Sequence, residues 1–176
     1  MASTSLDWAL DRARLGNMYH ACTAGEVTLS TVHATCTGLA LSNPYGSGKK
    51  LVVVRARFQP STVPAGPAVV GLAISPAVSQ TAVVHTTPVV IHNALATGSD
   101  LKVGVGKADS EATLPNTPVW LRPIGSVVED LSIAPGMYVD EIDGEIILPP
   151  GTHLSFSYLT TAAVGIALLT WIEIDE

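Results

Sequence analysis

The sequence predicts an all-β protein, an antiparallel β-sandwich of eight to ten strands behind a short N-terminal helical arm. Three observations point there. Charged residues make up only 14% and aromatics 5%, while Gly (15) and Pro (12) are frequent among the 176 residues. That mixture suits short strands and tight turns and leaves little material for helices. Turn signals recur at about the eight-to-twelve-residue spacing of sandwiches and barrels. The C-terminal stretch 137–176 then alternates apolar and polar residues between turn residues, the period of half-buried strands.

Residues 1–16 form the arm and 17–176 the sandwich domain. After a polar lead-in, Leu6 to Gly16 has helical character. Ser5 can cap it, Asp7 suits the first turn, Arg12 and Arg14 suit the last, and Gly16 can close it. Leu6, Leu10 and Ala13 share one face, with Trp8 and Leu15 beside it. So short a helix is marginal alone and must dock on something. The two options are its own sandwich and a neighbouring subunit, the latter with Trp8 as anchor. Leu6, Trp8, Leu10 and Leu15 are the candidate interface residues.

Val27, Leu29 and the run 37–41 open the strand pattern, and Asn43-Pro44-Tyr45-Gly46-Ser47-Gly48 is a turn cluster. In 51–58, Val52, Val54, Ala56 and Phe58 alternate with Val53, Arg55 and Arg57. Pro60, Pro64, Gly66 and Pro67 mark a loop. Shorter strands are expected at 68–74, 82–85, 89–92, 102–105, 119–121 and 127–131, with Pro88 at an edge or bulge. The stretch 97–118 is poorest in apolar residues and is expected to be the longest exposed loop.

Asp143-Gly144 predicts a hairpin turn, because both residues accept positive φ. Pro149-Pro150-Gly151 predicts a corner. Leu154, Phe156 and Tyr158 alternate with His153, Ser155 and Ser157, giving one apolar and one small polar face. The run 162–174 is apolar on both faces until Glu173, as a central strand covered from both sides would be.

The charge balance argues against nucleic acid. Fifteen acids against nine bases give a net charge of −6, and the few clustered bases (Lys49, Lys50, Arg55, Arg57) suit a solvated edge. No run is long enough for a membrane helix and no secretory leader is visible, so synthesis in a cytoplasm with Cys22 and Cys36 reduced is the expectation. A bridge between these thiols is the alternative to two buried free ones. Gly46-Ser47-Gly48-Lys49 lacks the first glycine and the final Ser or Thr of a phosphate loop. The histidines 20, 33, 85, 92 and 153 lack metal-ligand spacing, with His85 and His92 able to converge only across Pro88. Asp140, Glu141, Asp143 and Glu145 cluster without a calcium-loop order. No nucleophile elbow is present. The expectation is therefore a non-enzyme with no catalytic residues, cofactor or metal. With so few surface charges, an oligomer is expected.

Four segments carry a resemblance. They are Gly16-Asn-Met-Tyr-His-Ala, the run from Thr37 through Asn43-Pro-Tyr-Gly-Ser-Gly-Lys49 to Val54, Leu148-Pro-Pro-Gly-Thr-His-Leu-Ser-Phe156, and Leu169-Thr-Trp-Ile-Glu-Ile174. Over 16–176 the chain resembles small virion proteins of tailed bacteriophages, the capsid decoration or cement proteins. The resemblance implies a jelly-roll fold, a homo-oligomer (a trimer foremost) and the major capsid protein as partner. It also implies a place on the capsid surface. It transfers no site residue. Tyr45 departs from the small residue expected at its position. A head-fibre or tail component and a carbohydrate-binding sandwich are the rival readings; the second needs an exposed aromatic platform.

Overall fold

The computed structural model describes residues 5–96, 102–127 and 136–176. The lead-in at 1–4, the Ser5 cap, the Leu6 contact and the strand end expected at 128–131 lie outside the described residues and side chains. Helix α1 (Ser5–Arg14) has Asp7 in its first turn and Arg12 and Arg14 in its last. It stops as the sequence predicts. Asn17 N–H donates to the Arg12 carbonyl and Gly16 N–H to that of Ala13, both at 3.0 Å, with Gly16 at φ 69°. This paired closure needs a left-handed residue, which glycine supplies without strain. Gly16→Ala is expected to cost about 1 kcal/mol, measurable by urea unfolding.

Twelve strands follow among the described residues: β1 (Met18–Cys22), β2 (Val27–Thr28), β3 (Thr35–Asn43), β4 (Lys49–Pro60), β5 (Ala68–Ile74), β6 (Val84–Pro88), β7 (Ile91–Asn93), β8 (Lys107–Thr113), β9 (Val119–Val127), β10 (Tyr138–Leu148), β11 (Thr152–Thr160) and β12 (Val164–Asp175). Sheet I has the order β10-β4-β12-β1-β7, with β2 also on β12; sheet II has β6-β8-β3-β11-β5-β9. All pairings are antiparallel. Setting aside β2, β6, β7 and β8 leaves β1-β12-β4-β10 facing β3-β11-β5-β9. In chain order these eight strands trace a jelly roll. The excursion β6–β8, between β5 and β9, adds an edge to both sheets. Pro88 ends β6, at the point where the chain crosses from sheet II toward sheet I.

The core between the sheets holds Leu39, Leu41, Val53, Phe58, Leu154 and Phe156, all at zero exposure. The rings of Phe58 and Phe156 sit 6.3 Å apart. β12 is central, as its two apolar faces predict, and Trp171 stacks on Tyr19 at 6.0 Å inside the core.

Three expectations are corrected. First, β4 changes phase. Leu51, Val53, Ala56 and Phe58 point inward, whereas Val52 and Val54 join a separate cluster on the outer side. The register against β12 slips between Arg55–Thr170 and Val53–Trp171, so one extra residue on β4 flips the alternation. Second, Asp143-Gly144 is not a hairpin turn. Both have positive φ, 49° and 87°, but they lie in a bulge within one continuous β10, between the Glu141–Arg55 and Ile146–Val53 pairs. The bulge lets Ile142 and Ile146 both reach the core. Third, the stretch expected as exposed loop contains β8, with Ala108, Asp109, Ala112 and Leu114 buried. Its apolar residues are small, so hydropathy underrates it; backbone pairing to β3 and β6 holds it. Conversely, residues 102–105 run outside both sheets.

Candidate interaction surface

Helix α1 docks on its own sandwich. Trp8, Ala9, Met18 and Ile174 pack against Val52, Val54 and Ile172 on the outer side of sheet I. The Arg12 guanidinium lies 5.9 Å from the Trp8 ring centre, a cation–π contact. Trp8 is thus engaged within the chain. Leu10 (46% exposed) and Leu15 (53%) remain on the surface.

The helix covers only one end of the sheet I outer face. Beyond it, strand register sets side chains in rows. One row runs His92, His20, Thr170, Arg55 and Glu141; the next runs Cys22, Leu168, Arg57 and Val139. Ile166 lies further along β12, two residues from Leu168, and is 38% exposed; Val139 and Ile147 are also exposed. His20 Nδ1 is 3.0 Å from Thr170 Oγ1. Burial, and then Arg57, His92 and Arg55, lower the His20 pKa. Arg55 pairs with Glu141 at 2.6 Å, whereas Arg57 Nε is buried with no acceptor among the described residues. Apolar residues mixed with arginines are what protein interfaces favour over ordinary surface.

The segments behind the resemblance meet in space, and their work is structural. Asn43 closes the β3–β4 corner: its Nδ2 donates to the Lys49 and Leu148 carbonyls (2.8 and 2.9 Å), and its Oδ1 accepts from Ser47 Oγ at 2.7 Å. Gly151 N–H donates to the Asn43 carbonyl at 2.8 Å, tying in the corner after Pro149-Pro150. Gly151 has φ 82° and a Cβ there would meet the Ser79 carbonyl oxygen at 2.5 Å, so only glycine fits. Asn43→Ala should cost about 2 kcal/mol by removing three hydrogen bonds at this corner, the one to the Leu148 carbonyl buried; chemical denaturation gives the value. The first and fourth segments meet at Glu173. This buried carboxylate accepts Val105 N–H and Gly106 N–H at 3.0 Å each and Trp171 Nε1–H at 3.3 Å. It sits by Tyr19, whose pKa rises to about 12 through burial and then the Glu173 charge.

The polar face of β11 is covered too. His153, Ser155 and Ser157 are each 1% exposed. The segment 75–83 crosses this outer side of sheet II. Ser75 N–H bonds the His153 carbonyl, Ser79 N–H bonds the Gly151 carbonyl, and Val83 packs on Cys36, Ala40, Ala112 and Leu114. Neither ring nitrogen of His153 has a partner among the described residues, and burial lowers its pKa to about 4. Burial also raises the Cys36 thiol to about 11. Cys22 is exposed on β1 of sheet I, so the expectation of two buried thiols holds only for Cys36.

His85 and His92 do not converge. His85 on β6 pairs with buried Asp109 at 2.6 Å, while His92 on β7 lies opposite His20. The acidic cluster on β10 is partly neutralised, because Arg122 on β9 bridges Asp140 and Glu145. Tyr138 Oη–H adds a bond to the Ser126 carbonyl, so β9 and β10 close that side of the sandwich. Among the described residues no group of three or more His, Cys, Asp or Glu is placed to hold a metal ion.

Fold and surface together define a jelly-roll β-sandwich with a cis-docked helix and one partly bare outer face. No protein-family model matches the chain, and neither curated proteins nor solved structures give a significant match.

Proposed function

We propose that the chain is a non-enzymatic virion protein that binds the outer surface of a phage capsid as a homo-oligomer and stabilises contacts between major capsid subunits. One observation carries the reading. The central strand β12 presents Ile166 and Leu168 outward, beyond the reach of the helix that covers its other end. Arg57, beside Leu168, keeps a buried Nε without an acceptor among the described residues. A second copy of the chain is the occupant proposed for this face. The low surface charge and the sequence resemblance support the same reading. Leu10 and Leu15 extend the apolar surface on the helix and are assigned to the contact with a neighbour.

A protein that spans several capsid subunits gains from multivalency, because modest contacts add once the first is made. A closed sandwich with short corners loses little conformational entropy when it docks. The test is occupancy on undecorated heads. Leu10→Asp with Leu15→Asp should reduce occupancy at least tenfold while leaving the unfolding midpoint within error, since both side chains are already exposed. Unchanged occupancy would remove the helix from the contact; no binding of the unaltered protein to heads would remove the capsid role.

A further inference from the structure

The excursion β6–β8 does more than widen the sheets. Where β6 and β7 diverge as opposite edges, they enclose a cleft of about 610 Å³ with the segment 102–107. That volume is in the range of small-molecule sites. Tyr19, Val89, Ile91 and Ala108 give it an apolar wall, and Val103, 96% exposed, stands at its rim. The wall is built firmly. Glu173 pins the Val105 and Gly106 amides from behind, and a Cβ on Gly104 would meet the Glu173 carboxylate at 2.7 Å and the Tyr19 ring at 3.1 Å.

Among the described residues the charged side chains lining the cleft are of one sign, and Asn93 is neutral. Lys102 and Lys107 line it, and among the described residues no carboxylate does. Lys102 Nζ donates to a neutral partner, Asn17 Oδ1, at 2.9 Å. His85 also lines the cleft, with its Nδ1 held by Asp109, which leaves Nε2 as its remaining polar atom. A net charge of −6 makes this local cationic character unusual for the chain.

We propose that the cleft binds an amphiphilic anion, an acyl chain ending in a carboxylate. The chain lies along Tyr19, Val89, Ile91 and Ala108, and the carboxylate meets Lys102 and Lys107. The occupant follows from the apolar wall and the charge at its mouth, and is independent of the structural role proposed above.

The experiment is calorimetric titration of the full chain with decanoate below its micelle concentration. Decanol, decyltrimethylammonium and vesicles of anionic phospholipid are run in parallel. Decanoate is expected to bind one per chain, at least tenfold tighter than decyltrimethylammonium. Lys107→Glu and Val103→Asp should each weaken it about tenfold, or about 1.4 kcal/mol. Both positions are exposed, so the variants should fold normally. Ile91→Trp should fill the cleft and abolish binding of decanoate and decanol alike. The proposal is overturned by no decanoate binding, by equal binding of anion and cation, by binding indifferent to Lys107→Glu and Val103→Asp, or by attachment to vesicles without binding of monomeric decanoate.

Discussion

Glu173→Ala is expected to lower the free energy of unfolding by about 3 kcal/mol. The carboxylate gathers Val105 N–H, Gly106 N–H and Trp171 Nε1–H in a site with little solvent access. Removing it strands three donors, and a stranded buried donor costs about 1–3 kcal/mol. Water entering from the neighbouring cleft offsets part of this, which keeps the sum below three full penalties. Glu173→Gln should lose less, because one amide oxygen can still accept. The effect should also be local. Amide exchange at Val105 and Gly106 should accelerate, and the Tyr19 pKa should fall from about 12 because the Glu173 charge contributes to it after burial. Urea unfolding, hydrogen exchange and ultraviolet titration of the tyrosine report these separately. A loss under 1 kcal/mol with both amides still protected would contradict the anchoring role.

The second large effect is acid sensitivity from His153. Its folded pKa, about 4, lies below the ordinary value of 6.5, through burial. The folded state therefore binds fewer protons than the unfolded state between those values. The stability contribution is complete above pH 6.5, falls as pH drops through the window, and is fully lost below about pH 4. The difference amounts to about 3 kcal/mol. His153→Leu should remove that pH dependence. At pH 7 it should be neutral or slightly stabilising, since both ring nitrogens are buried and unpartnered among the described residues. Denaturation midpoints of both proteins from pH 7 to pH 4 give the comparison. Parallel pH profiles would contradict it.

Much of the fold was legible in the sequence because its signals are local. The helix stop at Gly16, the corners at Asn43–Gly48 and Pro149–Gly151, and the doubly apolar β12 depend on backbone demands or on runs that any context preserves. The misreadings came where one residue changes phase. Val54 is the extra residue in β4, and nothing in Val-Val-Val-Arg marks it, because each residue is equally at home on either face. Asp143-Gly144 supplied the positive φ that a hairpin needs, but a bulge uses the same angles. β8 was missed because Ala108, Asp109 and Ala112 are buried with little apolar surface. His153, Ser155 and Ser157 gave no sign of burial, since their cover, the segment 75–83, comes from distant sequence.

The candidate surface was legible only in part. Trp8 had the chemistry of an interface anchor, and its docking on Val52, Val54 and Ile172 depends on the altered phase of β4. The exposure of Leu10 and Leu15 follows from that docking. The outward row through Leu168, Arg57 and Val139 could not be written down without the strand order. The same holds for the cleft, whose walls come from β1 and the excursion, including its β7–β8 loop.

The most direct measurement is the mass of the purified protein in solution by light scattering, alone and with Ile166→Glu plus Leu168→Glu. The account predicts an oligomer that falls to a single 18.2 kDa chain when these outward residues are charged, with the sandwich still folded by circular dichroism. An unaltered protein that runs at 18.2 kDa at every concentration tested, or an oligomer indifferent to both substitutions, would contradict it.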